Sequence, residues 1–128
     1  MLLIMTGPAA VRILVAEDDP RVRDALTELI AAQPELRLVD AVGDAPAAAA
    51  AAEREVPDIA IVDVRMPGGG GAWATREIRR RSPSTRVLAF SGHTDERTVN
   101  EMLAAGAHGY LVKGSSITVI LETIAAAA

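Results

Sequence analysis

Short apolar runs that close on polar or small residues alternate along this chain with longer stretches in which apolar residues return every three or four positions. The first pattern is that of buried strands, the second that of helices facing a core on one side. Val11 to Ala16 reads as the first strand and ends on Glu17, Asp18 and Asp19. Asp19-Pro20 then offers a helix cap followed by proline at the first helical position. Val22, Ala25, Leu26, Leu29 and Ile30 carry the helical repeat, and Pro34 stops it. Leu36 to Val42 is a second strand, and Asp44-Ala45-Pro46 opens an alanine-rich helix to about Glu55. Four apolar residues from Ile59 run straight into Asp63, the mark of a central strand covered on both faces. After Met66-Pro67 and Gly68 to Gly71, the repeat predicts a helix over Ala72–Arg81 and a strand over Arg86–Phe90. A helix marked by Val99, Met102 and Leu103 stops at Gly106, a strand covers His108–Val112, and a last helix runs from Ile117 to about Ala126.

Strands that alternate with helices in this way predict a parallel sheet covered on both sides, an α/β fold of three layers. Right-handed crossovers leave few topologies, and the doubly wound order 2-1-3-4-5 is favoured among them. Residues 11–128 form one domain in this reading, with 1–10 as a flexible tail. No internal repeat or linker divides it.

Composition narrows the chemistry. A chain of 128 residues can bury a core without staples. Half of the residues are hydrophobic, but many are alanine and the aromatics are Trp73, Phe90 and Tyr110, so the core should be aliphatic. The lack of cysteine excludes disulfides, thiolate metal sites and cysteine nucleophiles. Two histidines, distant in sequence, argue against structural zinc. A net charge of −4 gives no global pull toward nucleic acid or membrane. No apolar run has the length of a membrane span, and Met1 to Met5 lacks the basic leader and the length of a signal core. The expected compartment is the cytoplasm.

In a sheet of this order the carboxyl ends of the strands share one crevice. The sequence delivers Glu17, Asp18, Asp63, Ser91 and Lys113 to it. Carboxylates crowded in one cleft repel each other unless a cation holds them. A hard divalent ion with oxygen ligands, Mg²⁺ or Mn²⁺, answers that need. Lys113 adds a flexible cation and Ser91 a hydroxyl, which together suit a transferable dianion. Asp63 is then expected to take a phosphoryl group by in-line attack while the metal and Lys113 neutralise the phosphoryl oxygens.

The stretches ILVAEDDP, IVDVRMP with its glycine turn, VLAFSGH and GAHGYLVKG resemble the receiver domain of two-component response regulators, over about Val11 to Ala126. SPSTRVLAFSGH and the KGSS ending look most like the NarL/FixJ type. The resemblance implies a flavodoxin-like fold and a phosphorelay role, with Asp63 accepting phosphate from a sensor histidine kinase or phosphotransfer protein. It implies that Glu17 and Asp18 are the metal-binding acids, Asp18 the more direct ligand, with the backbone carbonyl of Arg65 as a further ligand. It makes Ser91 the switch hydroxyl, Lys113 the phosphate-binding lysine, and Tyr110 the aromatic that turns inward. Relatives of this type usually carry a DNA-binding domain after the receiver, so the receiver is either stand-alone or excised from a longer regulator. Control of transcription would then pass through a separate or missing output domain. A homodimer on phosphorylation is expected; direct contact of this domain with nucleic acid or membrane is not.

This sequence departs from the family pattern at several places. Gly68 to Gly71 replaces a turn of larger residues and suggests a mobile loop. Ala72 stands where leucine is frequent, Trp73 follows it, and Gly114 replaces a frequent proline. Each site residue also has a plainer reading. Asp63 alone would be a turn former, Lys113 a solvated surface lysine, Ser91 part of a turn, and Tyr110 a half-buried strand residue. His93 is either on the site rim or an exposed loop histidine; His108 starts a strand. Arg76, Arg79, Arg80 and Arg81 read as a solvated helix end that complements the helix dipole. Two other functions remain open. One is an aspartyl-phosphate phosphatase, against which Arg65 stands where such enzymes need a second acid. The other is a nucleotide or flavin binder, or a phosphate-independent receiver-like interaction module; EDDP after the first strand would repel phosphate without a metal.

Overall fold

The computed structural model describes residues 9–92 and 94–128. The expected tail therefore falls largely outside the described residues; Ala9 and Ala10 lead irregularly into the first strand. The strands are β1 (Val11–Ala16), β2 (Leu36–Val42), β3 (Ile59–Asp63), β4 (Arg86–Ser91) and β5 (Gly109–Val112). The helices are α1 (Pro20–Ala31), α2 (Ala45–Glu55), α3 (Gly70–Arg81), α4 (Glu96–Ala105) and α5 (Ile117–Ala127). All paired strands are parallel, in the order β2-β1-β3-β4-β5. This is the expected doubly wound sheet.

Local chemistry accounts for the helix starts. Asp19, Asp44, Asp95 and Ser116 each sit in extended backbone and accept a hydrogen bond from an amide in the first turn. Helix α3 departs from this pattern, because Gly69 has no side chain to cap it. Its first turn is held instead by the Gly70 amide on Met66 O at 3.1 Å and the Gly71 amide on Val64 O at 2.8 Å. The helix therefore begins two residues before the expected Ala72, inside the glycine run. Helix α1 ends at Ala31, short of Pro34, and β5 begins one residue after His108. His108 still joins the sheet edge: its amide donates to Val87 O, and its Nδ1 accepts from the Val87 amide at 3.0 Å.

Every residue of β3 is buried, as its unbroken apolar run requires. The period-2 alternation sends Ala60 and Val62 to one side and Ile59 and Ile61 to the other. One core layer lies under α2, α3 and α4, the other under α1 and α5. Among the described residues no helix is long and apolar enough to cross a membrane.

Candidate functional site

The chain leaves β1 directly into Glu17, and the Glu17 amide continues the sheet by donating to Val42 O at 2.9 Å. This draws Glu17 inward, to full burial (0 % exposed), while Asp18 beside it faces solvent. Asp63 ends β3 between β1 and β4 and is 3 % exposed. One carboxylate oxygen from each of Glu17, Asp18 and Asp63 lies within 4.8 Å of the others. Lys113, just past β5, reaches across. Its Nζ stands 2.6 Å from Glu17 Oε1 and 3.2 Å from Asp63 Oδ1. The lysine is pinned by its backbone as well, through its amide on Ser91 O at 2.9 Å.

Electrostatics follow from the burial. Asp63 is pushed up to about 6, first by burial and then by its contact with Glu17, against smaller opposing effects of Asp18 and Lys113. For Lys113, burial works to lower the pKa, but the contacts with Glu17 and Asp63 prevail and raise it. Neither Glu17 carboxylate oxygen has a hydrogen-bond partner among the described residues, and Oε1 meets Lys113 as an ion pair. A buried carboxylate oxygen without a donor is costly. Three carboxylates around one point at the floor of the cleft, two of them buried, with acceptor capacity to spare, fit a hard divalent cation held by oxygen. The residues present therefore suit Mg²⁺ or Mn²⁺.

The cleft over these groups has a volume of about 370 Å³ and is lined by Asp18, Asp19, Asp63, Arg65, Ser91, Gly92 and Lys113. Every described residue read from the sequence as a site residue is thus on or beside one cleft, except Tyr110. Ser91 ends β4 and is 2 % exposed, its backbone paired to β5. Tyr110 lies within β5, half-buried against the core layer of α2 and α3. Arg65 is exposed at the rim, and its amide donates to Asp63 Oδ1 at 3.3 Å. His93 lies outside the described residues.

Sequence reasoning missed three contributors. Asp19, read mainly as a cap, both caps α1 through the Arg21 amide at 2.9 Å and lines the cleft. Phe90 lies under the lysine, with Lys113 Nζ 5.3 Å from the ring centre, a cation–π contact that only the tertiary fold creates. Arg23 donates from Nη1 to the carbonyl of Glu17 at 2.9 Å. A cation in the first turn of a helix opposes the helix dipole, and that anomaly was the available signal.

The arginines of α3 are largely as expected for a solvated face. Arg80 and Arg81 both pair with Glu77, at 2.9 and 3.0 Å. The glycine run is more specific than a loose loop. Gly68, Gly69 and Gly70 all have positive φ, and a Cβ on Gly71 would stand 2.3 Å from Asp63 O. Trp73 packs on Gly69, at 3.2 Å from where a Cβ would be.

Comparison with known proteins agrees with this geometry. The family model described as "Response regulator receiver domain" matches residues 13–125. The chain is 32% identical over 114 residues to the transcriptional regulatory protein DegU of Brevibacillus brevis, covering 89% of this chain and 48% of that protein. It is 35% identical over 103 residues to the DNA-binding transcriptional activator DevR/DosR of Mycobacterium tuberculosis, covering 80% of this chain and 48% of that protein. The chain spans about half the length of the curated relatives it matches. Among solved structures, the signal receiver domain of the response regulator NarL from Mycobacterium tuberculosis superposes with a TM-score of 0.88 at 32% identity, covering 93% of this chain and 96% of that one.

Proposed function

This chain belongs to the response regulator receiver family, of the kind found in NarL- and DegU-type regulators, and from that premise we propose that Asp63 is its phosphoacceptor. The observation that carries the reading is the buried Asp63 carboxylate, with Lys113 Nζ at 3.2 Å and oxygens of Glu17 and Asp18 within 4.8 Å. The donor is a phosphohistidine on a sensor kinase or phosphotransfer protein. An Asp63 oxygen attacks phosphorus in line, and the new O–P bond forms as the P–N bond of the donor breaks. The electron pair stays on the imidazole nitrogen, which takes up a proton. A divalent cation on Glu17, Asp18, Asp63 and the Arg65 carbonyl would supply charge neutralisation at the phosphoryl oxygens. Lys113 exchanges its carboxylate contacts for a phosphoryl oxygen and balances the added charge. Ser91 supplies a hydroxyl to another phosphoryl oxygen, and Tyr110 follows by turning inward. The face formed by α4, β5 and α5 then changes shape for a partner or a second copy, a two-state element biased by a charge-changing modification.

The domain acts as a signalling switch whose chemistry is limited to gaining and losing its own phosphate. Since the relatives are named as transcriptional regulators and DNA-binding activators, we assign its output to transcription through a further domain, not through direct binding of DNA by this one. Incubation with Mg²⁺ and acetyl phosphate, followed by intact mass, tests the acceptor. A labile gain of one phosphoryl group, absent in Asp63→Asn and without Mg²⁺, is expected. Absence of any adduct, together with no change on adding beryllofluoride, would leave a phosphate-independent interaction module.

A further inference from the structure

We propose that Arg23 is a positioning residue that presets the acidic loop for its divalent cation, and that Gly43 is glycine in order to make room for it. The proposal rests on the reading of Glu17, Asp18 and Asp63 as metal ligands.

Arg23 is in the first turn of α1, where helix amides already present partial positive charge and a cation is unfavourable. That turn contains no acid to offset it, and Arg23 forms no ion pair among the described residues. Its side chain is half-buried, and Nη1 donates to Glu17 O at 2.9 Å. That carbonyl belongs to the peptide linking Glu17 to Asp18. The same residue is tied on its other side, through its amide on Val42 O at 2.9 Å. With both ends held, the Glu17–Asp18 peptide plane has little freedom, and the exposed Asp18 leaves it in a fixed direction. Without the guanidinium the Glu17–Asp18 carbonyl would lose its donor, leaving the loop held by the Glu17 amide and by the cap bonds of Asp19.

Gly43 gives an independent observation. It follows β2 and has no positive φ, so backbone conformation does not demand glycine there. The demand is steric. A Cβ at this position would lie 2.9 Å from Arg23 Nη1 and 3.8 Å from Glu17 O. A side chain there would force the guanidinium tip to shift against its carbonyl partner. The residues at 23, in α1, and 43, in the turn after β2, thus serve a single contact behind the acidic loop. Lys113 contacts the carboxylates of the pocket, whereas Arg23 touches the backbone that carries two of them.

Charge and position predict opposite outcomes, which makes the proposal testable. As a bare charge, Arg23 repels a divalent cation, and its removal would tighten binding. As a brace, its removal loosens Asp18 and weakens binding. Titration of the phosphate-free protein with Mg²⁺ by calorimetry reads the sign. Arg23→Ala and Gly43→Ala are both expected to weaken Mg²⁺ about tenfold, the usual scale for losing a group that orients a metal ligand. Gly43→Ala keeps the charge and displaces it, so agreement between the two variants isolates position. Arg23→Lys, whose ammonium can reach the carbonyl, should retain most of the affinity. Faster hydrogen exchange at the Glu17 amide, which is bonded to Val42 O, in both alanine variants is the accompanying expectation, and melts in EDTA confirm that each variant is folded. Equal or tighter Mg²⁺ binding by a folded Arg23→Ala overturns the proposal, as does a Gly43→Ala that binds like the parent. A parent protein that gives no Mg²⁺ heat overturns the metal reading itself, which is a separate failure.

Discussion

The two faces of this sheet are built from side chains of different size. Toward α2 and α3 the strands present Ala16, Ala60 and Ala89 between Leu14, Val62 and Val87, and the helices answer mostly with alanine, Ala45, Ala48, Ala51, Ala52 and Ala74, beside Ile78. Toward α1 and α5 they present Ile13, Ile59, Ile61, Leu88 and Phe90, met by Leu26, Ile30 and Ile124. Small residues let backbones approach. On that side Pro67 O accepts from the Ala45 amide at 2.9 Å, and Gly68 and Gly71 touch neighbouring chain with no room for a side chain. The bulky side is looser at its rim, where Val22, Leu26, Leu29, Phe90, Ile117 and Ile120 line an apolar groove of about 270 Å³. One side of the acceptor is thus fixed by backbone contact and the other by side-chain bulk.

The contrast breaks most clearly at adjacent positions of β3. Ile61 fills the bulky layer, and Ile61→Ala should cost about 2–5 kcal/mol by leaving a cavity. Its neighbour Ala60 faces the small layer, where Ala60→Leu should cost about 1–3 kcal/mol by strain. Urea unfolding of the two variants checks both. If Ala60→Leu proved neutral, the close approach on that side would be disproved. The glycine contact is the next largest effect. A Cβ on Gly71 meets the backbone of Asp63 and Val64 at 2.3 and 2.7 Å, and backbone cannot give way as a flexible side chain can. Gly71→Ala should cost about 3 kcal/mol, the upper end for overpacking, and lower the yield of phosphorylated protein. Gly92→Ala, where a Cβ meets nothing within 4 Å, is the control for stability.

The third test concerns charge. Asp63 titrates near 3.8 when unfolded and at about 6 when folded, so between those values the native state holds more protons than the unfolded one. Stability then falls as pH rises from about 4 to about 6, and the penalty is complete above that window. In EDTA at pH 7, Asp63→Asn should therefore be more stable than the parent by roughly 2–3 kcal/mol. The difference should vanish below pH 4. Urea midpoints across pH 3.5–7.5 (a range set by about one unit beyond each value) measure it, and a parent as stable as the variant at pH 7 would refute the buried-charge account.

Much of this was legible in the sequence, for identifiable reasons. Strand runs and helical repeats set the element order, and the helix starts read at Asp19 and Asp44 depend on local hydrogen bonds alone; the caps Asp95 and Ser116 were not read from the sequence. Glu17, Asp18, Asp63, Ser91 and Lys113 met in one cleft because sheet topology fixes where strand ends lie. What depended on tertiary contact was not legible. The start of α3 is set by carbonyls of Val64 and Met66 folding back over the glycines. Helix α2 ends on Val56 in the left-handed region, a position that favours glycine and that no local pattern foretold. The same holds for Glu17, whose full burial is a result of its amide extending the sheet, and for the match of Arg23 to Gly43.

Trp73 has a practical consequence. It is the single tryptophan of the chain, and its ring rests on Gly69 at the start of α3, in the loop that leaves Asp63. All indole emission therefore originates beside the acceptor loop, with no second fluorophore of its kind to dilute it. The protein carries its own optical gauge of that loop, readable in a stirred cuvette without a label.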